Sequence, residues 1–179
     1  TYALELAFLG VNNQQLKKLR QELLSCTVEN HSKYELLMNY YNQIGRINHF
    51  NKVIETLKQD KALQEVLTAL SIREQRGDLN NKGVLRMVQG YFTELAFIFS
   101  ELYRISKNNA YVVFVNDNVR YGGEVIPVDY LSTAIAEKIG FQPIQVLALK
   151  QRKGNSSQQM KKFGNVPLRK SITIWKKPN

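Results

Sequence analysis

Asn116, Asp117, Asn118 and Arg120 follow directly on an apolar run, Tyr111-Val112-Val113-Phe114-Val115. Such a run is what a strand covered on both faces requires. In open α/β sheets ligands collect beyond the carboxyl ends of the strands. Amide side chains there both donate and accept, as the edge of a nucleobase or cofactor demands. Asn-Asp-Asn is also ordinary turn chemistry, so a polar turn stands as the alternative. Tyr121-Gly122-Gly123-Glu124 adds an aromatic face that either stacks a base or packs, and a bend. Glu124 and Asp129 are candidates for a general base or hydroxyl binder, with nothing pairing them.

A second group lies in a loop of roughly 18 residues, Gln151 to Leu168, longer than the ~12–15 that compact domains normally tolerate without a function. It reads Arg152-Lys153-Gly154-Asn155-Ser156-Ser157-Gln158-Gln159-Met160-Lys161-Lys162-Phe163-Gly164. Cations neutralise phosphates, Gln and Asn read base edges, and Phe stacks. Lys150, Arg169 and Lys170 extend the same surface, with Ser156, Gln158 and Gln159 as its polar readers. The alternative is a surface loop whose sequence is incidental. Charge favours the first reading: residues 138–179 hold ten Lys or Arg and no acid, while residues 1–137 balance at 15 of each. The formal charge of +10 is therefore local, a polyanion-facing end rather than a diffuse excess.

Other chemistries leave no pattern. His31, His49 and Cys26 are too scattered for a zinc site. No Gly-x-Ser-x-Gly elbow, phosphate loop or Gly-x-Gly-x-x-Gly turn occurs. One cysteine excludes an internal disulfide and fits a cytoplasmic protein. No apolar run approaches the ~20 residues of a membrane span, and no signal-peptide pattern opens the chain.

These residues need elements to hold them. Residues 1–106 read as helical: Asn12-Asn13 caps a helix bearing Leu16, Leu19, Leu23 and Leu24. Tyr34, Leu37, Met38, Tyr41, Ile44 and Ile47 follow at helical spacing, then Leu57, Leu63, Val66, Leu67 and Leu70. The clearest helix spans about 81–106, with Val84, Val88, Tyr91, Leu95, Ile98 and Leu102 as its core stripe, widened by Leu85, Phe92 and Phe99. Pro127 starts another that Gly140 stops. Ile144–Leu149 and Lys170–Trp175 read as further strands, the last two forming an antiparallel hairpin. The fold class is α/β: a helical region over 1–77, then over 78–179 the closing part of a Rossmann-like sheet.

The order of several stretches resembles one family. Asp78-Leu79-Asn80-Asn81-Lys82-Gly83, Tyr91-Phe92-Thr93-Glu94, and Phe114 through Asp129 are similar to the later motifs of bacterial DNA methyltransferases that modify exocyclic amino groups. Gly140-Phe141 and the stretches Gly154–Met160 and Leu168–Ile172 resemble that family's closing segment. Thr1–Ala7 resembles the segment just after its Ser-Pro-Pro-Tyr motif. The resemblance implies methyl transfer from S-adenosylmethionine to adenine or cytosine in double-stranded DNA, in a restriction-modification setting, with the target base flipped from the duplex. It places Asn80, Asn81 and Lys82 before the long helix as pocket lining, Asn116, Asp117, Asn118, Arg120 and Tyr121 at the sheet tip, and the basic loop on the target nucleotide. It makes residues 12–76 an inserted region assisting recognition. Neither the Phe-x-Gly-x-Gly cofactor turn nor a (Asp/Asn/Ser)-Pro-Pro-(Tyr/Phe) turn occurs in the 179 residues. The expectation is therefore a second half, inactive alone, that needs an N-terminal half or partner chain. A half sheet also predicts self-association into a homo-oligomer, or helices folding over the exposed strand. The alternative function is a nucleic-acid-binding module without catalysis.

Overall fold

The computed structural model describes residues 2–149 and 160–179. A short helix, α1 (Tyr2–Phe8), precedes α2 (Asn13–Glu22). Asn12 caps α2 as expected: its side chain accepts from the Gln15 amide, and the Gln15 side chain answers on the Asn12 amide. The stripe running from Tyr34 to Ile47 divides into two helices, α3 (Tyr34–Gln43) and α4 (Ile47–Lys58). Gly45, at φ 70°, turns the chain between them, a conformation that favours glycine. Asp60 then caps α5 (Lys61–Gln75), accepting from the Leu63 amide at 2.9 Å.

The long helix α6 (Val84–Ile105) is the spine. Val84, Val88, Phe92, Leu95 and Phe99 are buried along it, as expected from the spacing. Ile98 departs from its stripe and is 44% exposed, while Ala96 and Phe97 are buried instead. The burial turns because α6 packs on α4 and α5 as well as on α7 (Val128–Ile139). One continuous core runs from Tyr41 and Phe50 through α6 to Leu131, Ile135 and Trp175, joining the helical region to the sheet region.

The larger sheet has the order β1 (Tyr111–Asp117), β5 (Lys170–Lys176), β4 (Gln142–Leu149). The central β5 runs antiparallel to both neighbours, so β1 and β4 are parallel to each other and α7 is the connection between them. The expected closing hairpin is present. Trp175 locks the inner face: fully buried, it meets Phe99 and Phe114 at 4.8 and 5.8 Å and donates to Thr133 Oγ1 at 3.2 Å.

Two features differ from the sequence reading. Residues after Asn118 form a second small sheet, β2 (Val119–Tyr121) and β3 (Glu124–Ile126), turned by Gly122 and Gly123 at φ 56° and 86°. That is a Gly-Gly hairpin, where the sequence predicts only a bend. And β1 is covered on one face only: Val112, Phe114 and Asn116 face inward, while Tyr111, Val113 and Val115 are 62, 59 and 54% exposed. The reason is that α7, the helix that packs on all three strands, occupies the inner side.

Candidate functional site

At the tip of β1 the polar residues divide by role. Asn118 is buried, and its side-chain oxygen accepts from the Asp129 amide at 3.2 Å, fixing the first turn of α7. Arg120 is buried too, and spends its guanidinium on three carbonyls: Gly123 at 2.9 Å, Phe163 at 3.0 Å and Gly164 at 3.1 Å. It therefore staples the short helix α8 (Met160–Phe163) to the β2–β3 hairpin. Asp117 is exposed, 3.8 Å from Lys170. Asn116 is 9% exposed, and neither atom of its amide has a hydrogen-bond partner among the described residues.

Asp129 is 1% exposed and accepts from Arg169 Nε and from Ser171 Oγ, each at 2.6 Å. Burial works to raise its carboxyl, but Arg169, Ser171 and the neighbouring amides outweigh it and hold the group below its ordinary value. Such a carboxylate is a locked anchor rather than a poised base. Glu124 is likewise engaged, by Arg73 Nε at 2.8 Å.

An apolar cavity of about 150 Å³ opens beside the carboxyl end of β1. Tyr91, Phe92 and Tyr121 supply aromatic walls, Met87 and Val119 aliphatic ones, with Ser25 and Cys26 at the rim. Burial pushes the Tyr91 phenol up to about 12, with Cys26 alongside, so it remains an O–H at neutral pH. A cavity of this size accepts one benzene-sized ring.

The rim comes from the loop between α2 and α3, and here the sequence reading saw nothing. Glu94 on α6 is 8% exposed and accepts from the Ser25 amide at 2.9 Å, Ser25 Oγ at 2.5 Å and Lys33 Nζ at 2.8 Å. Lys33 also donates to the Leu23 carbonyl. Asn30, buried within the loop, accepts from the Thr27 amide at 2.9 Å and donates to the Arg20 carbonyl at 2.6 Å. Gly83 lets the loop close on α6: a Cβ there would stand 2.5 Å from the Val28 carbonyl oxygen. The available signal was an acid, Glu94, set in an otherwise apolar helical stretch.

The turn before α6 carries Asn80, Asn81 and Lys82, all exposed. Asn81 Oδ1 accepts from the Gly83 amide at 2.8 Å and so starts the helix. The turn is tied to α8 through Asp78, which Lys162 meets at 2.6 Å and Arg73 at 3.1 Å. Those two cations hold the Asp78 carboxyl below its ordinary range. The 78–83 turn, the β2–β3 hairpin and α8 are thus brought to one end of the molecule, beside the cavity. Of the expected cationic surface, Lys161, Lys162, Arg169 and Lys170 are all exposed; Lys162 and Arg169 pair closely with Asp78 and Asp129, and Lys170 stands 3.8 Å from Asp117. Lys150, Arg152, Lys153, Ser156, Gln158 and Gln159 lie outside the described residues.

Known proteins supply the comparison: the chain is similar to one part of type II methyltransferases. Over 178 residues it is 58% identical to the type II methyltransferase M.BsoBI of Geobacillus stearothermophilus, and 43% identical to M.AvaI of Nostoc sp. and of Anabaena variabilis. Each match covers 99% of this chain but 35% of the relative, so the chain spans about a third of the proteins it matches. No family model matches it, and no solved structure does.

Proposed function

We propose that this chain is the closing part of a DNA amino-methyltransferase, one that transfers a methyl group from S-adenosylmethionine to adenine or cytosine and is inactive without the remainder of the protein. The 58% identity to a type II methyltransferase along 99% of the chain carries the reading. The cavity at the β1 tip supports it, because its aromatic walls suit the flat face of a base displaced from a duplex. In this role Tyr91, Phe92 and Tyr121 surround the ring, while Asn80, Asn81 and Lys82 flank the entrance. Lys161, Lys170 and the basic residues of 150–159 neutralise phosphates, so the target strand is held where the pocket can take its base.

S-adenosylmethionine itself does not fit the cavity at the β1 tip. The cavity holds about 150 Å³, against the ~300–1,000 Å³ typical of ligand sites. The methyl donor is therefore assigned to the remainder of the protein, and the chain's own part is to grip DNA and seat the base.

The test pairs this chain with the part of M.BsoBI that it does not match. Purified residues 1–179 are expected to transfer no labelled methyl group to DNA, and the co-expressed pair to transfer it. Transfer by residues 1–179 alone would overturn the account of what is missing. A pair that assembles, binds DNA and still transfers nothing would favour the second reading, a nucleic-acid-binding module, which rests on the acid-free basic segment at 138–179.

A further inference from the structure

Asp78 stands where two cations converge. Lys162 Nζ meets its Oδ1 at 2.6 Å, and Arg73 meets its Oδ2 at 3.1 Å. Both cations also lie over the Phe163 ring, 5.4 and 5.8 Å from its centre. Their surroundings differ. Arg73 shares its guanidinium with Glu124 at 2.7 Å and is 29% exposed, whereas Lys162 is 55% exposed. The bond from Lys162 to Asp78 is not what holds α8. Arg120 reaches the Phe163 and Gly164 carbonyls, and the Phe163 ring packs so closely on Gly123 that a Cβ there would stand 2.9 Å from it. An exposed ammonium–carboxylate pair contributes little in water, so Lys162 can change partners without α8 coming loose. Its departure strands no charge, because Arg73 stays on Asp78. The pair is also well placed. Gly122 in the hairpin turn lies against Leu79 and Arg73, and Tyr121, the residue before it, is a wall of the cavity.

We infer that Asp78 holds, in the free chain, the place of a DNA backbone phosphate: when duplex binds, a phosphodiester oxygen takes Lys162 from the Asp78 carboxylate, beside the cavity that receives the base. The inference rests on the reading above, that this end of the chain grips DNA. Chemistry favours the exchange. A carboxylate and a phosphodiester each present two oxygens sharing one negative charge, and a Lys ammonium meets either as a point charge. No covalent bond forms or breaks; one ammonium passes from one anion to another. What drives it is the release of counterions condensed on the duplex, an atmosphere that a single carboxylate lacks. Until DNA arrives, Asp78 keeps Lys162 against the Phe163 ring, so α8 meets the duplex with its ammonium already placed.

The experiment titrates a fluorescent duplex of mixed sequence with residues 1–179 over a range of sodium chloride. Asp78→Asn is expected to tighten binding roughly two- to fivefold, the contribution of an exposed ion pair that no longer has to be broken. Lys162→Ala should lower the slope of log affinity against log salt by about 0.9, the share of one phosphate. In that background Asp78→Asn should have little further effect, which a double-mutant cycle reads directly. Circular dichroism checks that each variant is folded. Independently of any variant, acetylation of the parent chain mapped by mass spectrometry should find Lys162 protected by duplex. Weaker binding by Asp78→Asn, a gain of the same size without Lys162, or a Lys162 equally reactive with and without duplex would each overturn the exchange. Binding by the parent separates the two ideas. A parent that ignores duplex at low salt removes the reading of this end as a DNA grip, and the exchange with it. A parent that binds, with a slope unaltered by Lys162→Ala, keeps the grip and sinks the exchange.

Discussion

Asp129 shows how a candidate for chemistry becomes a candidate for stability once its neighbours are known. In sequence it is one of two acids near a cleft; in the fold it is the buried hub of Arg169, Ser171 and the first turn of α7. Its folded carboxyl lies below its ordinary value, so it contributes stability above the unfolded pKa of about 4, and that contribution is lost as pH falls through the lower folded value. Asp129→Asn is expected to cost about 2–4 kcal/mol at pH 7. The difference from the parent should shrink below about pH 4, where the parent loses its own advantage. Urea midpoints at pH 7 and pH 3 check this; an equal deficit at both would show that the charge contributes nothing. Asn118 and Arg120 change in the same way, from readers of a base to pins of the fold. Their residue types signal polarity and position correctly. What no spacing discloses is whether a polar group finds its partner in a ligand or in a backbone carbonyl 43 residues away, as Arg120 does at Phe163.

Among the elements, the regular ones were legible because their signals are local. The Asn12 cap, the long α6, the Pro127–Gly140 helix and the closing antiparallel pair all follow from neighbours in sequence. The loop between α2 and α3 was not, because its order comes from Glu94, 61 residues beyond Lys33. Both side chains are nearly buried, at 13 and 10% exposure, and breaking such a pair strands the other charge. Glu94→Gln is expected to cost about 3–5 kcal/mol. Adding Lys33→Met should return part of it, since the stranded ammonium is then gone. Additive single and double substitutions in urea unfolding would show that the two do not act together. The basic closing segment calls for a different measurement. Lys161 and Lys170 are exposed, whereas Arg169 shields Asp129, so removing Arg169 confounds binding with stability. Lys161→Ala/Lys170→Ala should lower the slope of log affinity for duplex DNA against log salt by about 0.9 for each phosphate no longer neutralised. An unchanged slope takes α8 and the entrance of β5 out of the interface.

For the whole molecule the sequence carries a sharper message than the fold alone satisfies. The Tyr111–Val115 run asks for cover on both faces, and the described residues cover one, because α7 packs against all three strands from the inner side and no other described helix does so from the outer. The helical region does not fold over the open face; α3 to α5 pack on each other and on α6 and join the same core. The apolar outer face is then opposed in solution by net charge alone. At low ionic strength two chains of +10 hold apart. Raising salt shortens the Debye length from about 30 Å at 0.01 M to about 8 Å at 0.15 M, and repulsion fades while apolar attraction does not. Light scattering of the isolated chain should therefore show self-association that grows with sodium chloride, accompanied by loss of binding of an apolar dye to the exposed sheet. Val113→Thr/Val115→Thr should blunt both effects. Association that instead dissolves as salt rises would mean that charge pairs, and not the bare sheet, bring the copies together.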